Sequence, residues 1–387
     1  MPVFIDNIIN FLNPSTPKGL IDCAEDWVRQ RRQQDDIRAS CPSAWSRRFD
    51  EEREMLFDEP RLHAADDFRE LPNVRWAVAR ESRLYCLSGA RILGAEAAVI
   101  SPDNRVFREF NYPPGTDWRE HSCFKRRRIP AVQELKGWYA TVAYPSARFY
   151  FHWIMESLPR MKLLQDYVSM LDGIFVPESP LPFHKQSLAM LGIAEAKLIA
   201  MSPSAHFKPE HLFVPQYCAF YAPAPWMHHW YKSAFLGATA ENRNHTECRR
   251  IYLSRADANA RKVSNEDGIV RYLEPLGFKV LTMTGMEFGD QARLFHGADM
   301  IVAPHGAALA NLVFCKPGTK VVEIFPPKWM PPCYFAIAKS AGLSYSYMVA
   351  NESPNHVANC SPQSIDLTIP LAVLSDHVDA ALRQSKP

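Results

Sequence analysis

Residues 298–326 read ADMIVAPHGAALANLVFCKPGTKVVEIFP. The apolar run DMIVAPH has the length and β-branched content of a buried strand. It passes through His305-Gly306 directly into GAALANLVF, which reads as a helix. After the turn KPGT a second apolar run, KVVEIF, reads as another strand. Strand, helix and strand at this spacing make the repeating unit of a parallel sheet. Outward from it the rhythm holds. RRIYLSR predicts a strand, and Ser264 with Asp267 three positions later predicts a capped helix ending near Gly277. KVLTM predicts a strand, EFGDQARLFHGA a helix, YFAIAKSAG a helix and LSYSYMV a strand. The tail LAVLSDHVDAALRQS predicts one more helix. Such alternation argues for a parallel sheet covered by helices on both faces.

The middle of the chain carries a second α/β half. FYFHWIMESLPRMKLLQDYV, residues 149–168, has the apolar spacing of an amphipathic helix that Pro159 should kink or divide. GIFVP reads as a buried strand, HKQSLAMLGI as a helix with Gly192 near its end, and KLIAM and HLFVP as strands. The polar stretch ENRNHTE, 241–247, is the best linker. Before residue 80 the chain is irregular, with helices expected over Ile21–Gln34 and Ser46–Leu56. Glu81–Phe110 reads as short strands. The expected division is an N-terminal domain over 1–240 and a C-terminal domain over 248–350. A terminal helix over 366–387 is expected to pack back on the N-terminal half.

Composition narrows the classes. The chain has 387 residues, 47% of them hydrophobic, and a net charge of +2 from 44 basic and 42 acidic side chains. That suits a globular protein with no electrostatic call for nucleic acid. Nine cysteines without a C-x-x-C pair speak against a zinc ribbon and a full disulfide framework. The N-terminus lacks the pattern of a secretory signal, and the longest stretch free of charged residues, His211–Tyr231, is interrupted by prolines. The expectation is a cytoplasmic protein. No G-x-G, P-loop, H-E-x-x-H or D-x-D occurs. The basic run Lys125–Arg128 reads as a solvated surface or an anion contact. The aromatic stretch Phe220–Tyr231 reads as an acceptor or membrane-facing edge, or as a packed connection.

Two constellations could carry chemistry. Open parallel sheets bind ligands beyond the carboxyl ends of their strands, and free N–H groups at a helix start favour phosphate. His305 and Gly306 occupy such a turn, which could equally be a tight connection around a packed histidine. Glu323, in the apolar run VVEIF, needs a partner if buried. A ribose diol or an internal arginine would serve. Arg255 follows its own strand in the same topological position and could meet a diphosphate or form a surface salt bridge. His152 and Glu156, at i and i+4, share a helix face. They can form a base and its orienting partner, or a satisfied core pair.

Three separated motifs, FHWIMESLPR at 151–160, IYLSR at 251–255 and APHGAALANLVF…PGT…VVEIFP at 303–326, together resemble glycosyltransferase family 61. The resemblance covers residues 140–330 and suggests the bacterial surface-polysaccharide branch. It implies the GT-B form of α/β fold, two Rossmann-like domains facing a cleft, and an inverting, metal-independent glycosyltransferase. Such an enzyme moves a sugar from a nucleotide donor, UDP-linked in the first instance, to a glycan or glycolipid acceptor. It needs no cofactor beyond that co-substrate and no metal. The resemblance places Arg255, His305, Gly306, Asn311 and Glu323 on the nucleotide-sugar side. It places Glu156 and His152 on the acceptor side. Within that pair Glu156, on a predominantly apolar helix, is the expected catalytic base with His152 its orienting or acceptor-binding neighbour; His152 as the base is the competing assignment. Ala308 stands where the resemblance leads one to expect glycine, slightly narrowing the ligand's room. The cytoplasmic location would then include peripheral contact with the inner membrane. The rival class is a non-catalytic glycan- or nucleotide-binding module on the same scaffold.

Overall fold

Runs such as IYL, IVA and VVEIF can be stable only where both faces of a sheet are covered, and the chain supplies helices on either side of them. The computed structural model describes residues 17–34, 44–50, 53–56, 76–79, 81–111, 122–126, 128–216, 223–237, 249–354 and 361–383. The chain divides into two units, Met1–Glu52 with Arg80–Cys218, and Arg53–Ala79 with Ala219–Pro387. Each contains a sheet rich in parallel strands.

In the second unit five strands are all parallel. Their spatial order is Phe278–Leu281, Arg250–Leu253, Met300–Pro304, Lys320–Phe325 and Ser344–Val349. In chain order that is 2-1-3-4-5. The direction of progression reverses between the first and third strands, which opens a crevice at their carboxyl ends. Arg255 and His305 follow those two strands. One face buries Tyr252, Val302 and Val322 against Ile269 and Leu273 of the helix Glu266–Leu273 and against Leu374 and Val378 of the helix Leu371–Arg383.

Several expectations are corrected in this unit. The terminal helix, expected to pack back on the N-terminal half, packs on this sheet. Tyr272 donates to Asp379 at 3.1 Å, and the pairing of Leu367–Thr368 with Asn351–Glu352 delivers the helix there. GAALANLVF forms the expected helix, wound as a 3-10 helix over Ala307–Phe314. Leu309 to Phe314 are all buried, so the segment has no wet face for an amphipathic stripe to oppose. Ser264 is not the helix cap. Asn265 holds that position, while the Ser264 hydroxyl bonds Leu367 O at 3.0 Å and the Thr368 hydroxyl at 2.7 Å. The unit also begins earlier than expected. Helix Met227–Phe235 belongs to it because Tyr231 and Phe235 pack edge-on against Phe314 and Phe288, with centroids 5.2 and 5.1 Å apart. In the described part of the aromatic stretch Met227, His228, Trp230 and Tyr231 are buried, while Pro225 and His229 stay exposed. Linker 241–247 lies outside the described residues.

The first unit holds a ten-stranded mixed sheet. Its parallel portion runs His206–Gln216, Gln133–Thr141, Gly173–Pro177, Leu198–Met201 in spatial order. Ser82–Ser88 and Arg91–Leu93 pair antiparallel with His206–Gln216, so this half is not a purely parallel Rossmann-like sheet. The expected helix over Ser46–Leu56 is instead a strand, Ala44–Asp50, on Ser82–Ser88, while Arg53–Leu56, in the second unit, pairs antiparallel with Trp76–Ala79. Pairing and the packing of Trp45 against Phe213 and Tyr167, both at 5.8 Å, override the local helical composition. The helix expected over Ile21–Gln34 forms over Ala24–Gln34, with Leu20–Ile21 in a short strand, and the strand GIFVP forms as expected. In the basic run, Arg126 is fixed to the Pro203 carbonyl, and Arg127 lies outside the described residues.

Candidate functional site

The carboxyl edge of the five-stranded sheet is assembled from loops that are themselves tied down. Tyr252 and Ser254 hydroxyls both donate to the Glu266 carboxylate at 3.0 Å, holding the end of the first strand. Arg255 then turns its guanidinium back. Nη2 donates to the Ala260 carbonyl at 2.7 Å and Nε to the Arg261 carbonyl at 3.1 Å. Nη1 fills the space that a Cβ on residue 306 would need, so Gly306 is required for this close approach. Its backbone is ordinary extended chain.

Arg261 adopts the left-handed conformation at φ 58°, unusual for a residue with a side chain. The conformation is held by its own side chain. Nε donates to the His305 carbonyl at 3.0 Å, Nη1 bonds the Gln363 carbonyl, and the guanidinium lies 5.1 Å over the Trp329 ring. Among the described residues no carboxylate lies within ion-pair distance of Arg255 or Arg261. Asp257 and Asp366 act only at longer range, being engaged by the backbone N–H groups of Thr284 and Lys262. Burial, reinforced by the neighbouring Arg261 charge, lowers the Arg255 pKa to about 10; burial lowers that of Arg261 as well. Two half-buried guanidiniums, one of them depressed by the charge of the other, make this edge of the sheet positive.

His305 lies behind them, 3% exposed, its ring stacked on Phe325 at 5.3 Å and flanked by Trp329 and Tyr334 at 4.7 and 4.8 Å. Its Nδ1 bonds one oxygen of Glu323, and the Tyr345 hydroxyl donates to the other at 2.6 Å. Burial pushes the imidazole below its usual pKa, the Glu323 carboxylate pulls the other way, and the two guanidiniums push further down. A neutral ring donating from Nδ1 to the carboxylate keeps its Nε2 lone pair available. Glu323 is completely buried, with both oxygens engaged inside the protein. Its partners are a histidine and a tyrosine, where an arginine or a diol was expected, so it reaches a ligand only through His305. Asn311 is not brought to this edge. It is fully buried and donates to Gln291 at 3.0 Å, bracing the 3-10 helix against the helix Phe288–Gly297.

The other pair sits beyond the carboxyl end of a parallel strand in the first unit. After Gln133–Thr141 comes a short turn and the helical run 150–164, wound as π-helix over Trp153–Ser157. Pro159 has no N–H to offer the preceding turn, and the wider winding, with Leu158 N bonding Trp153 O at 2.8 Å, accommodates its ring. His152 Nδ1 lies 2.9 Å from Glu156 Oε2. The Glu156 side chain is 4% exposed and the His152 side chain 27%, so the histidine is the solvent-facing member. Arg160 fixes the helix from below, donating to the Glu156 carbonyl at 2.9 Å and to the Pro215 carbonyl at 2.7 Å, with Tyr144 under its guanidinium.

Residues 150–322 match the family model described as Glycosyltransferase 61. The matched segment starts just before His152, contains Arg255 and Arg261, and ends one residue before Glu323. Over 93 residues the chain is 28% identical to the Xylan glycosyltransferase MUCI21 of Arabidopsis thaliana, covering 22% of this chain and 19% of that protein. A 74-residue stretch is 35% identical to the Beta-1,2-xylosyltransferase of the same plant, covering 19% and 12%. The chain thus aligns with less than a fifth of either relative's length. Arg261, Tyr345 and Trp329 were not singled out from sequence. They join the site through loop closure and strand alternation, which leave no spacing signature. Among the described residues no three His, Cys, Asp or Glu side chains cluster as a metal would require, and no helix is long and apolar enough to cross a membrane.

Proposed function

We propose that the protein is an inverting glycosyltransferase of the GT-B type, moving a sugar from a nucleoside diphosphate donor to a glycan or glycolipid acceptor without a metal. The observation that carries this reading is the unneutralised Arg255–Arg261 pair at the switch point of a 2-1-3-4-5 sheet, beside a histidine oriented by a buried carboxylate. A diphosphate would supply the missing negative charge. As the sugar–phosphate bond breaks, charge grows on the leaving oxygen, and fixed guanidinium donors that need no reorganisation stabilise it. His305, held by Glu323 at Nδ1, can accept a proton at Nε2 and then donate to that phosphate.

On the acceptor side Glu156 is the proposed base. It takes the proton of the attacking hydroxyl while His152 orients it; His152 as the base is the competing assignment. The oxygen displaces the diphosphate in a single step, which inverts the anomeric centre. Transferase names among the plant relatives make UDP-xylose the first donor to test. Surface-polysaccharide assembly at the cytoplasmic face of a bacterial inner membrane remains part of the proposal, and cell fractionation addresses it.

Calorimetric titration with UDP in EDTA tests the donor half. The reading expects binding in chelator, weakened by ~1.5–3 kcal/mol in Arg255→Ala, as for hydrogen bonds to a charged group. Binding that appears only with added Mg²⁺ or Mn²⁺ contradicts it. UDP binding without transfer or donor hydrolysis would instead favour the non-catalytic module.

A further inference from the structure

The turn that leads into the His152–Glu156 helix presents a pair of side chains that the reading above does not use. Between the strand Gln133–Thr141 and the helical run, Tyr144 and Ala147 are buried and anchor the turn from inside. His184 receives the Leu181 N–H on Nδ1 at 2.8 Å and therefore donates from Nε2 to the Ala147 carbonyl at 3.0 Å. Ser146 takes the left-handed conformation at φ 69°, and the Phe149 N–H closes the turn on the Ser146 carbonyl at 2.9 Å. A strained turn fixed from both sides is a rigid mount, and what it mounts faces solvent: Arg148 and Phe149 are both exposed.

Phe149 is 51% exposed and is the sole aromatic among the exposed large hydrophobic side chains of the described residues. The Arg148 guanidinium lies 4.6 Å from its ring centroid. Among the described residues no carboxylate stands within ion-pair distance of Arg148. The Phe149 ring is 6.4 Å from that of His152, the solvent-facing member of the proposed base pair. An exposed ring costs hydration free energy unless something stacks on it, and sugar rings offer apolar C–H faces of matching size. A guanidinium 4.6 Å over that ring, with no carboxylate at ion-pair distance among the described residues, keeps its donors and its charge for a carboxylate or phosphate.

We propose that Arg148 and Phe149 form an acceptor subsite, in which Phe149 stacks on a sugar ring and Arg148 pairs with an acidic group carried by that acceptor. This rests on the assignment of the His152–Glu156 helix to the acceptor side. It adds that the preferred acceptor is an acidic carbohydrate, whether its charge comes from a uronic acid or from a sugar phosphate.

The test uses the full chain and three probes followed by saturation-transfer NMR titration: methyl β-glucuronide, glucose 6-phosphate and methyl β-glucoside. The wild type should bind at least one acidic probe about five- to tenfold more tightly than the neutral one. The stronger acidic probe distinguishes carboxylate from phosphate. Arg148→Gln should remove the preference and leave neutral binding in place. Phe149→Ala should weaken all three probes about threefold or more, and Phe149→Trp should restore them. Equal affinity for acidic and neutral probes in the wild type, or unchanged affinities in both variants, overturns the subsite. UDP titration on the same samples reports the donor reading separately: loss of UDP binding in the wild type would sink that reading and leave the sugar preference to be judged by itself.

Discussion

At the residue scale the site is defined by what is left unpaired. Arg255 and Arg261 spend their hydrogen bonds on carbonyls and keep their charge, whereas Glu323 spends both oxygens on His305 and Tyr345. Two predictions follow from that asymmetry. UDP should raise the thermal transition of the wild type and raise it much less in Arg261→Gln, because the dyad's anion affinity is halved in charge. Equal shifts in both proteins would remove Arg261 from the site. Glu323→Gln replaces a double acceptor with a group that must donate at one side, so it should cost about 1–3 kcal/mol in urea unfolding and loosen the His305 tautomer, weakening UDP binding as well. A variant that unfolds normally and binds UDP normally would show the carboxylate to be dispensable. Arg255, His305, Gly306 and Glu323 were legible because each sits at or near the end of an apolar run, where topology alone marks a position. Arg261 sits in a loop, and nothing in RADANARK separates it from a surface arginine. Asn311 was placed by resemblance, and the tight 3-10 winding turns it inward.

At the element scale the feature with the clearest consequence is the π-wound segment Trp153–Ser157 ahead of Pro159. Pro159→Ala returns an N–H to the ladder and permits ordinary α-winding, which would rotate Glu156 relative to His152 and to the Arg160 anchor. Transfer or donor hydrolysis should fall at least about tenfold, since a base must sit within hydrogen-bond reach of its proton. Stability should stay within about 1 kcal/mol, a proline-to-alanine change acting largely through the unfolded chain. Full activity in Pro159→Ala would detach the winding from function. The helices and strands of the second unit were readable because parallel strands buried on both faces are continuous apolar runs. AWSRRFD was not. Its polar, arginine-rich composition says nothing of the Ser82–Ser88 strand, forty residues away in the chain, that makes it a strand.

At the scale of the whole molecule each unit carries its own buried neutral histidine. Burial lowers His184 in the first unit and His228 in the second to a pKa of about 4. In the unfolded chain both return to the ordinary value of about 6.5. The unfolded state therefore binds more protons between those limits. Stability is full above pH 6.5 and falls toward pH 4, by about 1.4 kcal/mol per unit and per histidine. Urea unfolding at pH 7.5, 6 and 5 should show that loss, and His228→Gln, which keeps a neutral hydrogen-bonding group, should remove the share that His228 contributes and leave that of His184. A pH-independent midpoint would mean that neither histidine is held neutral.

The central claim is that this chain transfers sugar from a nucleotide using its own cations. The most direct measurement follows nucleotide release from a panel of UDP-sugars, UDP-xylose first, by the purified full chain in EDTA. The account predicts release in chelator, slowed ~10²–10⁴-fold in Glu156→Gln while UDP affinity stays unchanged. Release that requires added divalent metal, or that proceeds at the wild-type rate in Glu156→Gln, would contradict it.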